Sequence, residues 1–235
     1  MIILAYKPTW WTSNDLVQYV KHQLHAKKCG HAGTLDPMAT GLMILATDDD
    51  TKKLHTLTGC DKTYTATVDL SALSDTRDVQ YRDFFEQYPT TQEWLLIHWA
   101  QKPWPTKEVI ETLLQGLYKD GWYVLPIPPF SAKKVGGKKR YDMARSWDQA
   151  IVDQFMSINN IVISSYQAPL LTIQCDVGSW TYIRSIAYWL GQQLWTGWIL
   201  TALERTSIGD FSLDQIKDID PNSKIPYQAI NPTLN

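Results

Sequence analysis

CGHAGTLDPMATGLMILA, residues 29–46, joins a short polar loop to an apolar run. The run Gly41-Leu42-Met43-Ile44-Leu45-Ala46 is the right length for a buried strand, and its flanking glycine suits a strand better than a helix. The loop before it, Gly30-His31-Ala32-Gly33-Thr34, leads into Leu35-Asp36-Pro37. Pro37 biases Asp36 toward extended backbone, and Gly33 and Gly41 permit tight turns on either side. One carboxylate is thus held at the mouth of a strand, which suits a catalytic group. An Asp-Pro pair by itself signals only a turn, so other parts of the chain have to supply the chemistry.

The 235 residues suffice for a sizeable core, and 44% hydrophobic with 20% charged residues is ordinary globular composition. No apolar run reaches membrane-spanning length. The N-terminus lacks the basic and apolar regions of a signal peptide. Cys29, Cys60 and Cys175 are odd in number and widely spaced, which argues for free thiols in a reducing cytoplasm. The net charge of -2 does not mark a nucleic-acid binder, yet Lys133, Lys134, Lys138, Lys139, Arg140 and Arg145 crowd one short segment against Asp142 alone. Lys21, Lys27 and Lys28 form a second basic group. Patches of this kind can hold phosphates on a protein that is slightly acidic overall.

Residues 2–5 read as a first strand ending at Lys7-Pro8. Thr12 and Asp15 have capping-box spacing, and Leu16, Val17, Val20 and Leu24 follow on one helical face. Asp48-Asp49-Asp50 opens a second short helix through Leu54 and Leu57. Residues 63–70 alternate strictly, with Tyr64, Ala66, Val68 and Leu70 on one face. Residues 83–120 carry a helical pattern broken by Pro103 and Pro105, and read as an insertion. Gly136-Gly137-Lys138 lacks phosphate-loop spacing. Strands are expected near 158–164 and 169–177, and an amphipathic helix over Thr181–Leu194. Arg184 falls in the first turn of that helix, where a cation opposes the helix dipole unless an anion answers it.

Four separated stretches, GHAGTLDPMATGL (30–42), KTYTATVDLSALSDTRD (62–78), PPFSAKKVGGKKRYDMAR (128–145) and CDVGSWTYIRSIA (175–187), together resemble the TruB family of tRNA pseudouridine synthases. The resemblance implies an α/β (α+β) pseudouridine synthase fold, with a mixed, largely antiparallel central sheet flanked by helices and an RNA cleft. It implies one catalytic domain over residues 1–235, without the further RNA-binding domain common in bacterial members. The implied activity is isomerisation of uridine 55 in the tRNA T-loop to pseudouridine by a monomeric enzyme, with base flipping and without cofactor or metal. Asp36 matches the catalytic aspartate, Arg184 the arginine that pairs with it, and Tyr64 the tyrosine that stacks on the base and takes part in proton transfer. His31 matches the histidine that fills the space of the flipped nucleotide, and Tyr182 and Leu203 match residues lining the uracil pocket. Lys133, Lys138, Lys139 and Arg140 are expected to hold phosphates.

Two readings compete with this one: an RNA-binding or tRNA-folding protein that keeps the fold without the reaction, and a related synthase acting on another RNA. Metal binding by His22, His25, Cys29 and His31 is disfavoured, because their spacing matches no common zinc pattern. One departure from the family remains. Trp10, Trp180, Trp195 and Trp198 stand where the resemblance leads one to expect glycine, in a chain with 11 Trp and only 12 Gly. Either the fold compensates for four indoles, or UGA codons meant as glycine have been written as tryptophan; the second is the expectation carried forward.

Overall fold

The computed structural model describes residues 1–72, 103–128, 131, 134–135, 138–139, 152–216 and 227–230. The chain divides into two compact units, Met1–Thr65 with Leu203–Asn235, and Ala66–Ala202.

In the first unit the apolar run at 42–46 is the centre of β3 (Thr40–Thr47), buried from Gly41 onward. A strand covered on both faces reads as a continuous apolar run rather than an alternating one, which is why no period of two shows in its sequence. Antiparallel β1 (Ile2–Lys7) flanks it in a register from Ile2 opposite Ala46 to Lys7 opposite Gly41. Beyond β1 lies β12 (Tyr227–Ile230). On the other side β10 (Ile199–Ile208) runs parallel to β3, with Glu204 opposite Thr40 and Arg205 opposite Gly41. Two short strands, β2 (Cys29–His31) on β3 and β11 (Phe211–Ser212) on β10, complete the set. One face of β3, through Leu42, Ile44 and Ala46, shares a core with Ile2, Leu4, Leu54, Leu57 and Ile208.

Helix α1 (Ser13–Gln23) starts as the sequence predicts. The Thr12 hydroxyl accepts from the Asp15 amide at 3.1 Å, and the Asp15 carboxylate accepts from the Thr12 amide at 2.8 Å. Such a box is worth about 1 kcal/mol. The second expected helix is two pieces, a 3-10 turn over Asp48–Lys53 and then α2 (Leu54–Thr58). Asp48 itself turns left-handed, and its carboxylate accepts from the Lys27 and Lys28 amides at 3.0 and 3.1 Å. That contact fixes the chain entering β2.

In the second unit the strand order is β4 (Lys62–Asp69), β9 (Leu170–Val177), β8 (Asp153–Gln167), β5 (Trp122–Pro126). β8 pairs antiparallel with both neighbours. It is much longer than the 158–164 expected, because its exposed half carries polar residues that look like loop. Helix α3 (Lys107–Tyr118) buries Ile110, Leu114 and Leu117. It falls in the segment read as an insertion, whose residues 83–102 lie outside those described. Helix α4 (Ile183–Leu194) begins two residues later than expected, with Tyr182 as its N-cap. β4 and β10 each start in one unit and finish in the other. The basic segment contributes a two-stranded ladder, β6 (Lys134–Val135) with β7 (Lys138–Lys139). Lys133 and Arg140 lie outside the described residues.

Candidate active site

The Asp36 loop is held by polar contacts to its main chain. Lys7, the last residue of β1, is fully buried, and its ammonium donates to three carbonyls: Pro8 at 2.9 Å, Trp11 at 2.6 Å and Pro37 at 3.2 Å. All three N–H bonds of the ammonium are therefore used. Burial lowers the Lys7 ammonium to about 8, while the Asp36 carboxylate nearby works in the opposite sense. The Trp10 amide also donates to the Pro37 carbonyl, at 2.7 Å, and the Thr9 hydroxyl donates to the Met38 carbonyl at 3.1 Å. Upstream, the buried Ser13 hydroxyl accepts from the Leu35 amide at 2.9 Å and donates to its carbonyl at 3.2 Å. Within the loop the Ala39 amide donates to the Asp36 carbonyl at 3.0 Å. The Asp36 side chain itself is half-buried.

Arg205 braces the same loop from β10. It is 1% exposed; Nε donates to the Leu42 carbonyl at 2.7 Å and Nη2 to the Gly33 carbonyl at 3.3 Å. These two acceptors lie on either side of Asp36 in the chain. The backbones of β3 and β10 come so close that a Cβ on Gly41 (φ 108°) would sit 2.3 Å from the Arg205 carbonyl oxygen. Only glycine fits there. Lys7, Ser13 and Arg205 were not singled out by the sequence, since a polar residue in a strand does not announce that it is buried.

His31 ends β2 half-buried; burial first, and then the Arg205 charge, holds its imidazole below the ordinary value. It is accordingly neutral near pH 7. Tyr64 is buried in β4, where the neighbouring Thr63 carbonyl accepts from the Thr206 hydroxyl of β10 at 3.3 Å. Leu203 is buried at the start of the first unit's share of β10, and its carbonyl accepts from the Thr40 hydroxyl at 3.4 Å. His31, Asp36, Tyr64 and Leu203 all belong to the first unit.

Tyr182 and Arg184 belong to the second unit, at the start of α4. Arg184 is buried in the first turn, as expected. The turn before it is tied to β8: the Thr181 hydroxyl donates to the Ser157 carbonyl at 2.9 Å, and the Gln154 amide donates to the Trp180 carbonyl at 2.8 Å. Ser185 is buried and donates to the Pro126 carbonyl at 2.6 Å. A cavity of about 560 Å³ in this unit is lined by Trp104, Val109 and Leu113 near α3 and by Leu194 and Trp195 near α4. It contains none of the site residues expected from the sequence. Of the basic segment, the described residues supply only the backbone ladder of β6 and β7.

Residues 21–183 match the family model for the TruB family pseudouridylate synthase N-terminal domain. The chain belongs to the TruB family. TruB-family relatives match along nearly its whole length. It is 36% identical to tRNA pseudouridine synthase B of Ureaplasma urealyticum, covering 93% of this chain and 90% of the relative. The corresponding protein of Opitutus terrae is 32% identical over 99% of this chain and 91% of its own. Among solved structures, a chain of a Cbf5-Nop10-Gar1 complex superposes with a TM-score of 0.66 at 21% identity. That superposition covers 92% of this chain and about half (51%) of the other, and bears on fold alone. The TruB-family chain is therefore an isomerase with the pseudouridine synthase fold. No helix among its described residues is long and apolar enough to cross a membrane.

Proposed function

We propose that this enzyme converts uridine 55 in the T-loop of tRNA to pseudouridine, with Asp36 as nucleophile. The observation that carries the reading is the bracing of the Asp36 loop by Lys7, Ser13 and Arg205, which presents one half-buried carboxylate on a rigid frame. The names of the relatives, tRNA pseudouridine synthase B, support tRNA as substrate.

The reaction is an isomerisation, so atoms balance without a cofactor. The Asp36 carboxylate adds to C1′ as the C1′–N1 bond breaks, and the electron pair of that bond leaves with the uracil ring. This is the logic of a retaining glycosidase nucleophile. The ring turns, C5 bonds to C1′, and the carboxylate is released. The C5 proton is then lost and a proton is gained at N1. Arg184 pairs with Asp36 and favours its ionised form. Tyr64 stacks on the base and assists the proton transfer. Tyr182 and Leu203 line the uracil pocket. The target nucleotide must leave the stack to expose C1′ and C5, and the neutral ring of His31 fills the space it vacates. Lys133, Lys138, Lys139 and Arg140 hold phosphates of the T-arm, and the enzyme acts as a monomer over a single catalytic domain.

The test is pseudouridine mapping after incubation with a T-loop minihelix. Asp36→Asn keeps shape and loses charge, so turnover should vanish while RNA binding survives. Arg184→Lys should also be strongly impaired, since an ammonium cannot make the two-pronged contact of a guanidinium. Clear turnover by the Asp36→Asn protein would refute the nucleophile assignment.

A further inference from the structure

Five residues other than glycine adopt left-handed backbone among those described: Trp10 (φ 64°), His25 (49°), Asp48 (49°), Trp180 (68°) and Trp195 (57°). His and Asp are among the types that visit this region. For a bulky side chain it is a true outlier, because Cβ crowds the following carbonyl. Such strain persists where the surroundings over-determine it, for example by packing the ring tightly. Here they do not. The three side chains are 60%, 62% and 75% exposed.

Trp104 has ordinary φ and is itself partly exposed. The four other described tryptophans behave differently from the three. Trp11, Trp122, Trp189 and Trp198 have ordinary φ, and each ring meets another: Tyr19 at 5.9 Å, Phe155 at 5.2 Å, Tyr123 at 5.8 Å and Tyr188 at 5.0 Å between centroids. None of the three left-handed tryptophans has a ring partner among the described residues. Trp198, which the sequence grouped with them, is thereby removed from the set.

Each of the three occupies a place where a backbone without Cβ is wanted. The clearest is Trp195. Its amide donates to the Gln192 carbonyl at 3.3 Å, and the next amide, Thr196, reaches back to the Gly191 carbonyl at 2.9 Å. That pair of bonds is the Schellman ending of a helix, whose left-handed residue is usually glycine. Trp10 turns the chain so that its amide reaches Pro37, and Trp180 sits inside the turn closed by the Thr181 amide on the Gly178 carbonyl.

We propose that the protein made by its source carries glycine at positions 10, 180 and 195. The three written tryptophans then stand for UGA codons, a triplet that different genetic codes read as stop, tryptophan or glycine. This explains why one residue type, and one poorly suited to the backbone, occupies all three sites. It also moves the glycine content toward the ~16 that average usage of about 7% would give. The proposal is independent of the catalytic reading.

The gene and the native protein test it together. Codons 10, 180 and 195 should be UGA, while codons 11, 104, 122, 189 and 198 should be UGG. Peptides of the native protein spanning the three positions should each be lighter by the difference between an indolylmethyl side chain and a hydrogen. A UGG codon at any of the three, or native peptides that carry the indole, overturns the proposal at that position. In an ordinary host, the W10G/W180G/W195G protein should melt roughly 5–10 °C above the sequence as written. Trp198→Gly, which removes a packed ring, should melt lower. A triple variant that melts no higher would overturn the argument from strain.

Discussion

Replacing Arg205 with methionine tests whether the buried guanidinium braces the Asp36 loop. Met has similar length and no donors. Two bonds are lost, the 2.7 Å contact to Leu42 and the longer 3.3 Å contact to Gly33. A hydrogen bond from a charged donor is worth about 1.5–3 kcal/mol, and a buried carbonyl left alone costs a similar amount. Counting the long bond at half weight, the loss is ~3–4 kcal/mol. Against it stands the relief of burying one cation fewer. Arg205 disfavours the protonated forms of Lys7, His31 and Lys62, so its removal also eases repulsion among them. That relief is on the order of 1–2 kcal/mol. The bonds win, and the variant should lose about 2 kcal/mol, or roughly 4–8 °C in melting temperature. Urea unfolding followed by tryptophan fluorescence measures the first figure. Amide exchange at Ala39, whose donor bonds to the Asp36 carbonyl, shows whether the loop itself loosens. The His31 imidazole should rise toward its ordinary value as the Arg205 charge disappears, although burial still holds it down. A stability within about 0.5 kcal/mol of the parent, with exchange at Ala39 unchanged, would refute the bracing role.

Three further outcomes are expected. Because the Lys7 ammonium sits at about 8 when folded against 10.5 otherwise, the unfolded chain binds a proton between those values that the native chain lacks. Stability attributable to Lys7 should therefore rise across that window by up to about 1.4 kcal/mol per pH unit, a slope that Lys7→Met removes in urea titrations at successive pH. Gly41→Ala should cost several times the ordinary Gly-to-Ala effect, roughly 3 kcal/mol or more, since the new methyl meets the Arg205 main chain at 2.3 Å; a near-neutral melting temperature would contradict that contact. Removing Lys138, Lys139 and Arg140 should weaken tRNA binding and flatten its salt dependence by about one unit of slope per lost phosphate contact, as filter binding at several salt concentrations would show.

The elements legible in the sequence were those whose reasons are local. The Thr12–Asp15 box, the alternation from Tyr64 to Leu70 and the apolar run of β3 each state their structure within a few residues. β10 does not show in its residues, because Thr201 and buried Arg205 interrupt the apolar pattern on one face and Glu204 and Thr206 interrupt it on the other. Lys7 looked like the end of a strand, and its role depends on a carbonyl thirty positions away. β8 was read short because its solvent-facing side chains resemble a loop. Asp36 itself could be named early, yet the frame that holds it could not. That frame is built from partners distant in sequence.

The braces that Lys7, Thr9, Ser13 and Arg205 place on the Asp36 loop end on main-chain amides and carbonyls, at Gly33, Leu35, Pro37, Met38 and Leu42. A loop fixed through its main chain leaves its outward side chains free to change. Thr34, exposed between two anchored positions, can be exchanged without touching a single brace. Natural drift or an engineer can therefore retune what this rim offers to an incoming RNA while the carboxylate stays where it is. Lys7, Ser13 and Arg205, remote in sequence from the loop or buried beneath it, have no such freedom.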